Sequence, residues 1–87
     1  MNQRITNKLL NQLLLDLGFE RGSVTERNVR IWSHPKSGCE LLLPNNKTLD
    51  RPRAADLEGV RTQLDHQGHL DAAQFDTFLL EGRIPQL

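Results

Sequence analysis

The sequence has few of the residues that mark secreted, disulfide-bonded or membrane proteins. Its single cysteine cannot form an internal disulfide, which fits a reducing compartment. It contains no apolar run near the roughly 18 residues of a membrane span. Polar residues interrupt the leucine-rich N-terminal stretch and no small-residue cleavage site follows, so we expect no signal peptide. The sequence therefore predicts a single cytoplasmic domain over residues 1–87, without membrane contact.

The chain also lacks an excess of either charge, with 11 basic and 11 acidic residues. This balance excludes a histone-like polycation and a strongly acidic protein. The distribution along the chain is less even. Residues 21–53 contain seven basic and three acidic residues, whereas residues 54–87 contain two basic and six acidic ones. Such a pattern suits an anionic partner for the middle, pairing between subunits, or complementarity of the two halves within one fold.

A β-hairpin is predicted at the centre of the chain. Val29–Ser33 alternates in character along its length, as a strand does, and residues 35–38 form a turn with proline early and glycine late. Residues 39–43 form the partner strand, and their run of three leucines predicts cover on both faces of that strand. A weaker strand is predicted over residues 19–24, where Gly22-Ser23 interrupts the pattern as a bulge or a loop.

Three helices are predicted around this hairpin. Leucines at three- and four-residue spacing mark residues 6–17, with Thr6 as the N-cap and Gly18 as the end signal. A third helix covers residues 71–81, because Asp71 and Gln74 form a capping pair.

The second helix is predicted from Pro52, at its first position, to about Gln67. Gly59 inside it costs about 1 kcal/mol relative to alanine. We expect such a cost where a helix must approach a sheet closely. The order of elements predicts an α+β, two-layer fold: a three-stranded antiparallel meander covered by helices, α-β-β-β-α plus a C-terminal helix around residues 71–81.

Some apolar side chains exceed what a three-stranded sheet can cover. They predict a homodimer or a partner protein, unless the third helix docks onto the same domain. The surplus residues are Leu15, Leu79, Leu80, Ile84 and Leu87.

Several short motifs occur in a characteristic order over residues 6–67. They are Leu13 to Phe19, Gly22-Ser23, Trp32-Ser33-His34-Pro35, Leu43-Pro44 and a helix around Leu57 to Leu64. In this order the chain resembles the HicA-type mRNA interferase toxins, which have a double-stranded-RNA-binding-like fold. The resemblance implies that fold and a sheet that faces RNA or an antitoxin.

The resemblance does not extend to the catalytic histidine of that family, which follows the Gly-Ser step. Here Val24 follows Gly22-Ser23, and alignment from His34-Pro35 places Val29 at that position instead. A general base must titrate near neutral pH, which valine cannot do. What the resemblance implies is therefore a fold and a binding surface rather than ribonuclease activity.

Five cations are candidates for nucleic-acid contact, because arginine beside an aromatic residue can stack bases and hold phosphates. Arg30 shares a strand face with Trp32, although a single tryptophan in a small domain also fits the core. The start of the second helix supplies free N–H groups that can take a phosphate. The predicted nucleic-acid-binding residues are Arg30, Lys36, Lys47, Arg51 and Arg53.

The three histidines and the cysteine are weaker candidates. His34 is either a displaced catalytic or phosphate-contacting residue, or a turn residue whose ring packs on proline or caps a carbonyl. His66 and His69 have a spacing that can place two metal ligands on one helical face, but Gly68 lies between them and a solvated connector explains them equally well. Cys39 is expected to be buried and inert. We expect no cofactor and no metal.

Three functions follow, and we favour a non-enzymatic one. The first is a small binding module that is HicA-like and binds RNA. The second is a protein-interaction subunit, of a toxin–antitoxin pair or a homodimer, that docks through the acidic third helix or a sheet edge. The third is an RNA-cleaving toxin that uses His34.

Overall fold

A computed structural model describes residues 5–45 and 50–83 of the chain. Within these residues it has three helices and one sheet, in the order α-β-β-β-α-α, so the predicted α+β fold is confirmed. The strands are antiparallel neighbours in the order β1-β2-β3. The elements are α1 (Asn7–Asp16), β1 (Glu20–Val24), β2 (Val29–Ser33), β3 (Glu40–Pro44), α2 (Ala54–His66) and α3 (Ala72–Glu81).

Both ends of α1 follow the local sequence signals. The Thr6 side chain accepts a hydrogen bond from the Leu9 N–H, which satisfies one of the free donors of the first turn. At the other end Gly18 has a φ of +97°, and the N–H of Phe19 donates to the carbonyl of Leu14 at 2.9 Å. This reversal is a Schellman motif, and it buries Phe19 just before β1 begins.

The register of the sheet separates a covered face from an open one. Trp32 lies opposite Leu41, and these side chains are buried beneath the helices. Ile31 lies opposite Leu42 on the other face. No described helix covers that face, so Leu42 is 65% exposed.

The predicted cover on both faces of the second hairpin strand is therefore wrong. Leu41 and Leu43 are buried, but Leu42 between them is exposed, so β3 alternates like the strand of a half-covered sheet. The run of three leucines resembled a fully buried strand because the middle leucine replaces the polar residue that an open face usually has.

A bulge in β1 sets its pairing with β2. The register shifts between Arg21 and Val24, which pair with Trp32 and Arg30 respectively. A Cβ atom on Gly22 would lie 2.6 Å from the carbonyl oxygen of Ile31, so the backbone leaves no room for a side chain there.

The core lies between the covered sheet face and the three helices. Trp32 is only 1% exposed, which confirms that it belongs to the core. The helix α3 is docked on α2, where the Arg61 guanidinium holds the Asp76 carboxylate with two hydrogen bonds of 2.9 and 3.2 Å. Aliphatic residues of α2 and aromatic residues of α3 complete this core: Leu57, Val60, Leu64, Phe75 and Phe78.

Docking of α3 absorbs only part of the apolar surplus. Leu79 packs against the core, whereas Leu80 is 72% exposed and Leu15 on α1 is 45% exposed. Ile84 and Leu87 lie outside the described residues. No helix of the described ranges is long and apolar enough to cross a membrane.

Two expectations about α2 are wrong. The first helical residue is Ala54 and the N-cap is Arg53, so Pro52 precedes the cap, where it is buried, instead of occupying the first turn. Gly59 also does not allow a close approach to the sheet, because a Cβ atom built there would meet nothing within 4 Å. The helix contacts the sheet through larger side chains, and Gly59 borders open space beside β3.

Candidate nucleic-acid interface

The fold distributes the predicted nucleic-acid-binding cations over different parts of the surface. Arg51 and Arg53 lie at the N-terminus of α2, beside the start of α1, whose Asn7 N–H donates to the Asp50 carbonyl at 2.8 Å. Lys36 lies in the turn between β2 and β3, at the opposite end of the sheet. Lys47 falls outside the described residues. Among the described cations, Arg51 and Arg53 therefore lie together at the start of α2, and Arg30 lines the cleft next to this helix start.

The first turn of α2 has no side-chain cap. Arg53 is the N-cap residue and makes no side-chain hydrogen bond to the helix backbone. Its guanidinium instead holds the Asp56 carboxylate at 2.9 and 3.1 Å, and this contact raises the pKa of Arg53. The exposed Arg51 lies two residues earlier. The helix start thus combines backbone donors, the positive end of the helix dipole and two guanidinium groups.

Arg30 has a structural contact rather than an exposed position. It is half-buried on the covered face of the sheet, and its Nη1 donates to the carbonyl of Gly22 at 2.8 Å. This bond ties β2 to the bulge of β1. Of the predicted cations that the structure describes, Arg30 is therefore the least accessible to a phosphate backbone.

A narrow polar cleft opens between α1, the sheet and the start of α2. Its free space is about 30 Å³, which is enough for about one water molecule and too little for a base. A nucleic acid would therefore contact the rim of this cleft rather than enter it. The lining includes Asn7, Asn11, Arg30, Asn45, Pro52 and Asp56.

The core position of Trp32 removes it as a stacking platform. Its ring is covered by the helices on one side of the sheet. The exposed Arg21, which pairs with it across β1 and β2, places its guanidinium carbon 5.5 Å from the ring centroid. This cation–π contact was not predicted, because it depends on the strand register.

His34 lies in the turn after β2 and caps main-chain groups, as the structural alternative for this residue predicts. Its Nε2 lies 3.1 Å from the carbonyl oxygen of Leu17, and the N–H of Ser37 donates to Nδ1 at 3.3 Å. These partners assign the hydrogen to Nε2 and leave Nδ1 as the acceptor. Both ring nitrogens are therefore engaged by the protein's own backbone.

His69 completes a cluster around His34 that sequence spacing does not reveal. The two imidazole rings lie 4.2 Å apart between centroids, and Phe19 meets both rings edge-on at 5.1 and 5.3 Å. The Ser37 hydroxyl lies 2.9 Å from His69 Nε2. Burial, and then the nearby His34, lower the pKa of His69.

The contact between Ser37 and His69 has the distance of a nucleophile–base pair but lacks its third member. Among residues 5–45 and 50–83, no carboxylate hydrogen-bonds to His69 to orient the ring. The Ser37 oxygen also accepts a hydrogen bond from the Cys39 N–H at 3.2 Å. The cluster therefore joins the β2–β3 turn to the loop before α3, and the residues are 32 positions apart in sequence.

His66 and His69, the candidate metal ligands, do not lie on one helical face. His66 is exposed at the end of α2, Gly68 turns the chain with a φ of +75°, and His69 lies against His34. The described part of the chain has no group of three or more residues placed to hold a metal ion. Cys39 is buried, and this burial raises the pKa of its thiol.

Val24, which follows the Gly-Ser step, lies far from the histidine cluster. Glu20 pairs with Ser33, next to His34, whereas Val24 pairs with Arg30 at the other end of β1. Four residues of strand span about 13 Å. Neither His34 nor His69 can therefore replace a histidine at the position of Val24.

Comparison with known proteins gives no relative. No protein-family model matches the sequence, no curated protein matches it, and no solved structure matches the fold.

Proposed function

We propose that this chain is a small, non-catalytic, cytoplasmic RNA-binding module of the HicA-like kind, which takes phosphate groups at the N-terminus of α2. The observation that carries the proposal is the start of this helix, where the N-cap residue is an arginine and a second exposed arginine lies two residues before it. Anions bind at helix N-termini because free N–H groups and the helix dipole both favour negative charge.

The ion pair at this helix start leaves room for a phosphate. The Arg53 side chain is 68% exposed, whereas that of Asp56 is only 15% exposed, and an ion pair with one solvated partner contributes little to stability. A phosphate oxygen can therefore compete for the guanidinium at little cost. Arg51 adds a second cation, which forms no ion pair within residues 5–45 and 50–83.

The non-catalytic part of the proposal is supported by the histidines. Val24 follows Gly22-Ser23, and both ring nitrogens of His34 are hydrogen-bonded to backbone groups. A general base needs a nitrogen that can reach the substrate's proton.

A protein-interaction subunit is the second candidate. The exposed leucines Leu42 and Leu80 favour it, since they present apolar surface on two different elements. This role does not require the arginines, so measurements on Arg51 and Arg53 separate the two candidates.

The RNA-binding proposal is tested by fluorescence anisotropy with labelled single-stranded and double-stranded RNA at several salt concentrations. Affinity should fall with salt, with a log–log slope of roughly −0.7 to −0.9 for each phosphate neutralised. The double variant Arg51→Gln/Arg53→Gln should flatten this slope by about one to two units. Arg83→Gln, which replaces an exposed arginine just after the C-terminal end of α3, is the control and should leave the slope unchanged.

Asp56→Asn should increase RNA affinity, because it makes the start of α2 more positive. It releases Arg53 and removes a negative charge beside the helix start, and we expect a several-fold increase. Equal affinities for the parent chain, the arginine double variant and Asp56→Asn, or binding that ignores salt, would contradict the proposal.

A further inference from the structure

The outer edge of β3 has hydrogen-bonding groups without a partner in the described part of the chain. The N–H of Asn45 donates to the carbonyl of Asn28, and the N–H of His34 donates to the carbonyl of Cys39. Backbone groups alternate along an antiparallel ladder, so the N–H and C=O groups of Leu41 and Leu43 point toward β2. The N–H and C=O groups of Glu40 and Leu42 therefore point outward. An edge of this kind is a template for another strand.

A groove runs between this edge and α2. It is about 550 Å³ in volume and is lined by β3 on one side and by α2 on the other. Gly59 lies in its wall and leaves it open, since a Cβ atom there would meet nothing within 4 Å. A glycine in the middle of a helix costs about 1 kcal/mol relative to alanine, and the chain itself gains no contact from it.

The charged residues that line the groove are all acidic. Its lining contains three carboxylates and no lysine, arginine or histidine. Asp56 is held by Arg53, whereas Glu58 has only a long contact of 3.9 Å to Arg61. Glu40 forms no ion pair within residues 5–45 and 50–83. The remaining lining is mainly aliphatic, with Leu41, Leu42, Leu43 and Val60.

We infer that this groove binds an extended segment of a partner protein, with lysine or arginine alternating with apolar residues, as a fourth strand beside β3. The main chain of the segment would pair with the outward groups of Glu40 and Leu42. Its apolar side chains would lie beside Leu42 on the open face of the sheet, and its cations, which alternate with them, would point into the groove toward Glu58 on α2.

Charge decides between this partner and a second copy of the chain. A twofold pairing of two β3 edges would bring two α2 helices together, each with Glu58 on its groove side. Like charges brought together in this way oppose association. A basic segment meets the same carboxylates favourably.

The proposal concerns the groove side of α2, which shares only Asp56 with the proposed phosphate site, and it does not require RNA binding. The probe is a capped heptapeptide of alternating lysine and valine, titrated into ¹⁵N-labelled protein and followed by amide chemical shifts. We expect saturable shifts at Leu42 and Gly59, which lie on the two walls of the groove. Two control peptides keep the length: one has glutamate in place of lysine, and one is N-methylated at alternate residues on its pairing edge.

The glutamate peptide should not bind, and the N-methylated peptide should lose at least tenfold in affinity because it cannot pair with the edge. The variant Glu40→Lys/Glu58→Lys should weaken binding of the lysine peptide by about tenfold. Gly59→Leu should also abolish binding by filling the groove, while circular dichroism verifies that both variants are folded.

Three outcomes would overturn the proposal. One is an absence of shifts at both walls with the lysine peptide. Another is equal binding of the lysine and glutamate peptides, or of the N-methylated one. The third is a dimer that light scattering detects and that depends on protein concentration, with amide shifts at Leu42 and Gly59 that change on dilution. A second copy of the chain would then occupy the groove.

Discussion

Each end of the sheet has a cluster of polar residues, and the two clusters differ in what their side chains contact. At the histidine end, formed by His34, Ser37 and His69, the polar side chains are hydrogen-bonded to one another or to the backbone. At the arginine end, formed by Arg51, Arg53 and Asp56, the groups pair on the surface beside an uncapped helix start. Polar residues that satisfy each other stabilise the fold, whereas those left at the surface are available to a ligand.

Replacement of His34 should have the largest effect on stability. His34→Ala leaves the Leu17 carbonyl and the Ser37 N–H without their partner and removes the ring beneath Phe19 and His69. We expect a loss of about 2–4 kcal/mol in the free energy of unfolding, measured by urea denaturation. His66→Ala, which replaces an exposed histidine, should change it by less than about 0.5 kcal/mol. Similar losses for both would remove the distinction between buried and exposed histidines.

Acidification should also act on the histidine end. Unfolded histidine has a pKa of about 6.5, and burial together with His34 lowers the folded pKa of His69. The unfolded state therefore binds more protons, so stability is full above about pH 6.5 and decreases as the pH falls below it. Thermal unfolding between pH 7.5 and 5.5 should show this decrease. His69→Gln should reduce it, whereas His66→Gln should not, and parallel pH profiles for both variants would argue against a role for His69.

A change in the groove should act in the other direction. Gly59→Ala adds a methyl group that contacts nothing in the described chain and removes the entropic cost of glycine in a helix. The free energy of unfolding should rise by about 0.5–1 kcal/mol. Denaturation in urea measures this rise, and a destabilised variant would show that α2 requires glycine for its own packing.

The smallest effect on stability is expected at the arginine end. The variant Arg51→Gln/Arg53→Gln breaks one ion pair whose arginine is exposed to solvent, so the free energy of unfolding should change much less than in His34→Ala. The same variant should lose RNA affinity, because the two cations are available for phosphates. A decrease in the free energy of unfolding as large as that of His34→Ala would show that the arginines stabilise the fold.

Local chemistry predicts much of the fold. The bounds of β2 are those expected from its alternating pattern, and Thr6 and Asp71 cap their helices as their positions indicate. The φ of +97° at Gly18 confirms the predicted end of α1. These signals are readable because each depends on residues within one or two turns of chain.

Tertiary context decided the remainder. The exposure of Leu42 depends on which face the helices cover, and the open space at Gly59 depends on how α2 is rotated. The contact of His34 with His69 joins residues 35 positions apart, with no local spacing to indicate it. In the candidate site, the position of Arg51 and Arg53 at the start of a helix was predictable from the sequence. The contact of Arg30 with the Gly22 carbonyl depends on the strand register and was not.

The bulge in β1 has a consequence for how this chain is compared with others. Gly22 belongs to the Gly-Ser step on which the resemblance to HicA-type toxins partly depends, yet the Ile31 carbonyl already excludes every other residue there. Any protein with this bulge therefore needs glycine at that position, whatever its ancestry. Shared glycine is evidence of common geometry, and kinship is better judged from positions that packing leaves free to vary.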